Sequence, residues 1–196
     1  EKVGKLIATM QSSRLARRPP HADYFHMDAA HSNRKVKVSL EESLAELSDL
    51  IGLTEVKETI NRIVKLVEYD KKRAYMLSIE KNEQPSYHFA FSGNPGTGKT
   101  TVARILGDIF YSLGILESGQ LVEVDRSDLV GGYVGQTAQK TKAVIESAMG
   151  GVLFIDEAYS LASSDSDSLD YGSEAIDTLI KAMEDHRNDF IVILAG

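Results

Sequence analysis

Hydrophobic positions become regular only from Ser39 onward. Leu40, Leu44, Leu47 and Ile51 recur at helical spacing behind Ser39 and Glu42, a pair placed to close a capping box. After Gly52 a second stripe of Val56, Ile60, Ile63, Val64 and Val67 predicts a helix beginning near Thr54. Asn82–Ser86 has the composition of a turn, and Tyr87–Ser92 alternates and is aromatic-rich, which predicts a short strand. Val102, Ile105, Leu106, Ile109, Phe110 and Leu113 share one helical face. Leu121–Val124 predicts a strand and Thr137–Met149 a helix, while Val152–Ile155 is apolar throughout, as a strand covered on both faces would be. A polar stretch, Ser163–Asp170, precedes a helix expected to turn Ile176, Leu179, Ile180 and Met183 inward, and Phe190–Leu194 is another wholly apolar strand.

Strands alternating with helices in this way predict a parallel sheet in a three-layer α/β domain spanning residues 39–196. Residues 1–38 follow a different rule. Val3, Leu6, Ile7 and Met10 form a short amphipathic stretch that runs into Arg17-Arg18-Pro19-Pro20, where the prolines stop any helix. No sustained period follows up to Lys37, so this segment is expected to be short, mainly helical or disordered. His21, His26 and His31 lie five residues apart, a rotation of roughly 140° per step on a helix, so the rings would share no face for a metal.

Charge and composition narrow the function classes. The formal charge of −7 divides unevenly: residues 1–40 carry eight Lys/Arg against three Asp/Glu, leaving the remainder strongly acidic. A uniformly basic nucleic-acid binder is thereby excluded, since most of the chain would repel phosphate. The absence of cysteine removes disulfide scaffolds, thiolate catalysis, cysteine zinc sites and iron–sulfur centres. No apolar run approaches the ~20 residues of a membrane span, and no signal-peptide pattern opens the chain. The expectation is a cytoplasmic protein with no membrane partner.

Two motifs carry chemistry. Gly93-Asn94-Pro95-Gly96-Thr97-Gly98-Lys99-Thr100 satisfies G-x-x-x-x-G-K-[ST] at every fixed position and sits between a predicted strand and a predicted amphipathic helix. In that setting the glycines let backbone N–H groups turn inward on a phosphate, and the helix N-terminus adds a favourable dipole. Lys99 can reach the β- and γ-phosphates, and the Thr100 hydroxyl can ligate Mg²⁺. The second motif is Val152-Leu153-Phe154-Ile155-Asp156-Glu157. An aspartate closing a buried strand can hold hydrated magnesium, and the adjacent glutamate can orient and deprotonate an attacking water. The guanine-reading Asn-Lys-x-Asp is absent, so the expected cofactors are ATP and Mg²⁺.

Gly93–Thr101 with Ile155-Asp156-Glu157-Ala158 resembles an AAA+ ATPase. The resemblance extends through Leu50-Ile51-Gly52-Leu53, Val56-Lys57, Asp128–Thr137 and Asp170–Ile176. These segments are similar to the group containing red-type Rubisco activases and stage V sporulation protein K, with type VII secretion ATPases more distant. What the resemblance implies is an AAA+ large subdomain in which Ile51 and Gly52 line the adenine site and Asn94–Thr101 bind the phosphates. It further implies that Tyr133, Val134 and Gly135 form the aromatic–hydrophobic–Gly pore loop by which hexameric relatives grip a polypeptide. Ser163–Asp170 falls where such proteins place a second pore-side loop.

An AAA+ module continues past its fourth core strand to sensor 1, an arginine finger and a helical lid, and this chain stops at Gly196. Arg126 and Arg187 do not lie in the segment of a finger. The resemblance therefore implies an incomplete pocket, a monomeric or weakly associated chain, and poor turnover by these 196 residues alone. A P-loop small-molecule kinase and a nucleotide-dependent scaffold that does not hydrolyse are the competing expectations. A kinase would not need the Asp-Glu pair or an exposed Tyr-Val-Gly loop, and would carry an arginine-rich acceptor site or lid.

Overall fold

Residues 39–77, 86–133, 135–162 and 171–196 are described in the computed structural model of the chain. Helix α1 (Leu40–Asp49) opens on the expected capping box. The Ser39 hydroxyl accepts from the Glu42 amide at 3.2 Å and the Glu42 carboxylate from the Ser39 amide at 2.9 Å. The Ser39 amide, and after it the Ser39 hydroxyl, hold the Glu42 carboxyl below its ordinary value. Lys57, on helix α2 (Thr54–Leu77), donates to the carbonyls of Ser48 (2.8 Å) and Leu50 (2.5 Å), satisfying groups that the end of α1 leaves open.

Strand β1 (Phe89–Phe91) leads to helix α3 (Lys99–Ser112), and strand β2 (Leu121–Val124) to a single-turn helix α4 (Arg126–Leu129) and helix α5 (Gln136–Ala148). Strand β3 (Val152–Ile155) is followed by a 3₁₀ turn, Ala158–Ala162, helix α6 (Tyr171–Asp185) and strand β4 (Ile191–Ala195). The four strands form one parallel sheet in the order β1-β4-β3-β2. Val152, Phe154, Ile191 and Ile193 face a core shared with Ile105, Leu106 and Phe110 of α3 and Ile60 and Val64 of α2. Leu153, Ile155 and Val192 face the opposite core with Val144 and Ile145 of α5 and Leu179 of α6. Helices on both faces of a parallel sheet make the three-layer α/β architecture that the alternating pattern predicts, and β3 is buried at every position.

Two expected core positions are corrected. Ile51 is not on the inner face of α1: the helix stops at Asp49 and Ile51 is 99% exposed, because Gly52 and Leu53 take left-handed φ values of +73° and +55° and turn the chain away. Ile180 is 51% exposed, since Ile176, Leu179 and Met183 already occupy the inward stripe of α6. The strand expected over Tyr87–Ser92 is limited to three residues, and β4 lies one residue later than its apolar run suggests. Residues 1–38, with His21, His26 and His31, residues 82–85 of the expected turn, and Ser163–Asp170 lie outside the described residues. Among the described residues no helix is long and apolar enough to cross a membrane.

Candidate active site

Parallel strands deliver their C-terminal ends to one edge of the sheet, and both motifs arrive there. Gly93 follows β1, Asp156 follows β3, and β4 lies between those strands. The Gly93 amide donates to the Gly196 carbonyl at 3.0 Å, and the Gly196 amide to the Phe91 carbonyl at 2.9 Å, so the start of the loop is fixed to the end of β4.

The loop itself is built around space. Gly96 and Gly98 stand at φ +78° and +86°, and no atom lies within 4 Å of where a Cβ would project from either. Asn94, Pro95, Gly96 and Thr97 are exposed, as is Thr101; Gly98, Lys99 and Thr100 are half-buried. The Thr97 hydroxyl donates to the Asn94 carbonyl at 2.8 Å. The Lys99 ammonium donates to the carbonyls of Gly93 (2.7 Å) and Asn94 (3.3 Å), folded across its own loop. Gly98 caps α3 without a side chain, and the first turn of this helix holds no acidic residue. Open space at both left-handed glycines, a helix N-terminus with no acid to compete for it and a lysine folded over the loop fit a phosphate group.

Thr100, in the first turn of α3, and Asp156, directly after β3, each bring an oxygen atom to this edge. The Asp156 amide bonds the Val124 carbonyl at 2.9 Å, and its carboxylate accepts the Glu157 amide at 3.0 Å. Among the described residues there is no group of three or more acidic or histidine side chains that could hold a metal. One hydroxyl and one carboxylate suit Mg²⁺, which keeps waters and takes phosphate oxygens rather than filling a protein cage. Glu157 is exposed, with a left-handed φ of +48°. It borders a cleft of about 510 Å³ with Arg126, Val130, Gly131 and Ser160.

That cleft joins two segments that sequence reasoning treats separately. Tyr133 is 74% exposed, and Gly135 at φ +79° caps α5. Helix α4 and the start of the loop that joins it to α5 are held by one face of α5. The Thr137 hydroxyl accepts the Gly131 amide at 3.1 Å, the Thr141 hydroxyl donates to the Leu129 carbonyl at 3.0 Å, and the Lys140 ammonium donates to the Ser127 carbonyl. Arg126 crosses the cleft to donate to the Ser160 carbonyl. The side chain of Val134 lies outside the described residues. Ile51 and Gly52 are both exposed in the turn between α1 and α2.

Glu123 and Arg126 are the contacts that sequence reasoning missed. Glu123 accepts a hydrogen bond from the Thr100 hydroxyl. The sole signal for it is an acid in the otherwise apolar run Leu121–Val124.

Residues 89–196 match the family described as "ATPase family associated with various cellular activities (AAA)". Among curated proteins, stage V sporulation protein K of Bacillus subtilis is 44% identical over 192 residues, covering 97% of this chain and 58% of the relative. The chloroplastic ribulose bisphosphate carboxylase/oxygenase activase of Cyanidioschyzon merolae is 48% identical over 161 residues, 82% of this chain and 54% of the relative. Protein CbxX of Cupriavidus necator is 46% identical over 179 residues, 91% of this chain and 56% of the relative. The chain thus spans about half the length of these relatives. With its P-loop, its Asp-Glu strand end and its three-layer sheet, the chain belongs to the AAA ATPase family.

Proposed function

We propose that the chain is the ATP-binding and hydrolysing module of a ring-forming, protein-remodelling ATPase of the sporulation protein K type. The observation that carries this is the meeting of Gly93–Thr100 and Asp156-Glu157 at one sheet edge, fixed by the bonds between Gly93, Gly196 and Phe91.

Lys99 and the backbone amides of Gly96–Thr101 bind the β- and γ-phosphates, Lys99 exchanging its two loop carbonyls for phosphate oxygens. Thr100 and Asp156 would hold Mg²⁺. Bound with the nucleotide, the ion neutralises phosphate charge. Glu157, exposed beside the cleft, orients water and takes its proton as the general base. Ile51 and Gly52 offer an apolar contact and open backbone to the adenine. An exposed Tyr133, with Val134 and Gly135, grips a polypeptide in the central pore of a cytoplasmic hexamer.

Alignment over 97% of the chain supports the sporulation-type assignment, although identity is higher to the Rubisco activase relative, 48% against 44%. Membership of the AAA family sets aside the small-molecule kinase. In the whole protein, Lys99→Ala is expected to lose ATP binding. Glu157→Gln should keep binding and lose about 10²–10⁴-fold in turnover. Tyr133→Ala should keep turnover and lose work on the polypeptide. ATP affinity and partner function both unchanged in Glu157→Gln would establish a non-hydrolysing scaffold instead.

A further inference from the structure

Strand β2 alternates between two cores: Leu121 packs on the α3 side, while Val122 and Val124 pack on the α5 side. Glu123 therefore belongs to the α3 side, and its register partner is Phe154, buried against α3. On this outermost strand of the sheet Glu123 is exposed, so its carboxylate is solvated there. It is one residue short of Val124, whose carbonyl receives the Asp156 amide. Among the described residues no lysine or arginine forms an ion pair with Glu123. Its hydrogen bond comes from the Thr100 hydroxyl, Oγ1 to Oε1, at 3.3 Å.

The direction of that bond matters. A threonine hydroxyl has one proton and two lone pairs, and it ligates a cation only through a lone pair. A hydroxyl that gives its proton to Glu123 keeps both lone pairs free on its other side. Held this way, it is already in the orientation that a cation requires, and a further negative charge lies behind it. Such supporting partners tune metal affinity about 10–100-fold in metal sites generally.

We infer that Glu123 is a positioning residue for the divalent cation that accompanies the nucleotide, acting through the Thr100 hydroxyl. This role rests on the nucleotide site proposed above. It predicts opposite effects on nucleotide with and without metal, because removing Glu123 weakens the cation's support while lessening repulsion of the bare triphosphate.

The test is binding of N-methylanthraniloyl-ATP to the full chain, read by fluorescence, first in EDTA and then titrated with MgCl₂. Glu123→Ala should raise the Mg²⁺ midpoint about tenfold or more, and Glu123→Gln, which retains an acceptor without the charge, should fall between it and wild type. Binding in EDTA should be unchanged or tighter in both variants, and melting temperatures without ligand should match wild type. The near-isosteric glutamine variant keeps the test decisive should the alanine variant unfold. Midpoints within twofold of wild type, or lowered, would overturn the role of Glu123 alone, the latter because Glu123 would then compete with the ion. Failure of wild type to bind the probe would overturn the nucleotide site and the role of Glu123 with it.

Discussion

Glu157 holds a backbone conformation that most side chains avoid. Its φ of +48° comes directly after a buried strand, and its amide folds back on the Asp156 carboxylate at 3.0 Å. For a residue with a Cβ this region costs about 1–2 kcal/mol, a strain that functional sites commonly retain. The side chain is exposed, so exchanging it removes little packing. Asparagine enters this region several-fold more readily than glutamine. Glu157→Asn should therefore be more stable than Glu157→Gln by about 0.5–1 kcal/mol in urea unfolding. Equal stabilities would show that no strain is stored at this position. The exposure and φ of Glu157 could not be read from the sequence, although its place after an apolar strand ending in aspartate could. The contact of Glu123 was illegible for a related reason: one acid in a four-residue strand reads as a solvent-facing position, which it is, and its approach to Thr100 depends on how α3 crosses the sheet.

At the scale of elements, the amphipathic helices and the strands Leu121–Val124 and Val152–Ile155 were legible, and the single-turn elements were not. Helix α4 has four residues and the 3₁₀ turn after β3 has five, too few for a helical period to register. The spacing of Asp125 and Asp128 was a usable signal, because these residues form the capping box that starts α4. Hydrogen bonds from Ser127 hold the Asp125 carboxyl below its ordinary value, aided by the ammonium of Lys140. Thr137, Lys140 and Thr141 lie three and four residues apart, so they form one face of α5, and that face supports α4 and the start of the Tyr133 loop. Thr141 and Leu129 are fully buried. Thr141→Val preserves shape but leaves the Leu129 carbonyl without this donor, and should cost about 1–3 kcal/mol in chemical denaturation. Thr141→Ser, which keeps the hydroxyl, should recover more than half of that loss. Thr141→Val as stable as wild type would show that this hydrogen bond adds nothing to stability. Gly131 tests the same support from the other side: a Cβ there would lie 2.6 Å from the Cβ of Gln136. Gly131→Ala should push the loop off α5 and cost about 1–3 kcal/mol.

For the whole molecule, a parallel sheet follows from the alternation of strands and helices, but the order β1-β4-β3-β2 depends on contacts between distant segments. The order places β4 between the two motif-bearing strands, and one contact holding it there involves a titratable group. His88, just before β1, accepts the Val192 amide of β4 on Nδ1 at 3.1 Å. An accepting nitrogen must be unprotonated, so the proton of the neutral ring is on Nε2, which is buried without a hydrogen-bond partner among the described residues. Burial also disfavours the imidazolium and lowers the pKa from its ordinary value of 6.5. Because the folded-state pKa lies below the unfolded one, the unfolded chain takes up the proton first as pH falls. The contribution is fully present above pH 6.5, declines below it and is lost as pH falls through the folded-state value. His88→Asn offers an acceptor in a similar place without titrating in this range. The stability of wild type relative to His88→Asn should therefore be greater at pH 7.5 than at pH 5.5. Taking the difference cancels the carboxylates common to both proteins. A gap independent of pH would mean that His88 does not link the titration to the β1–β4 pairing.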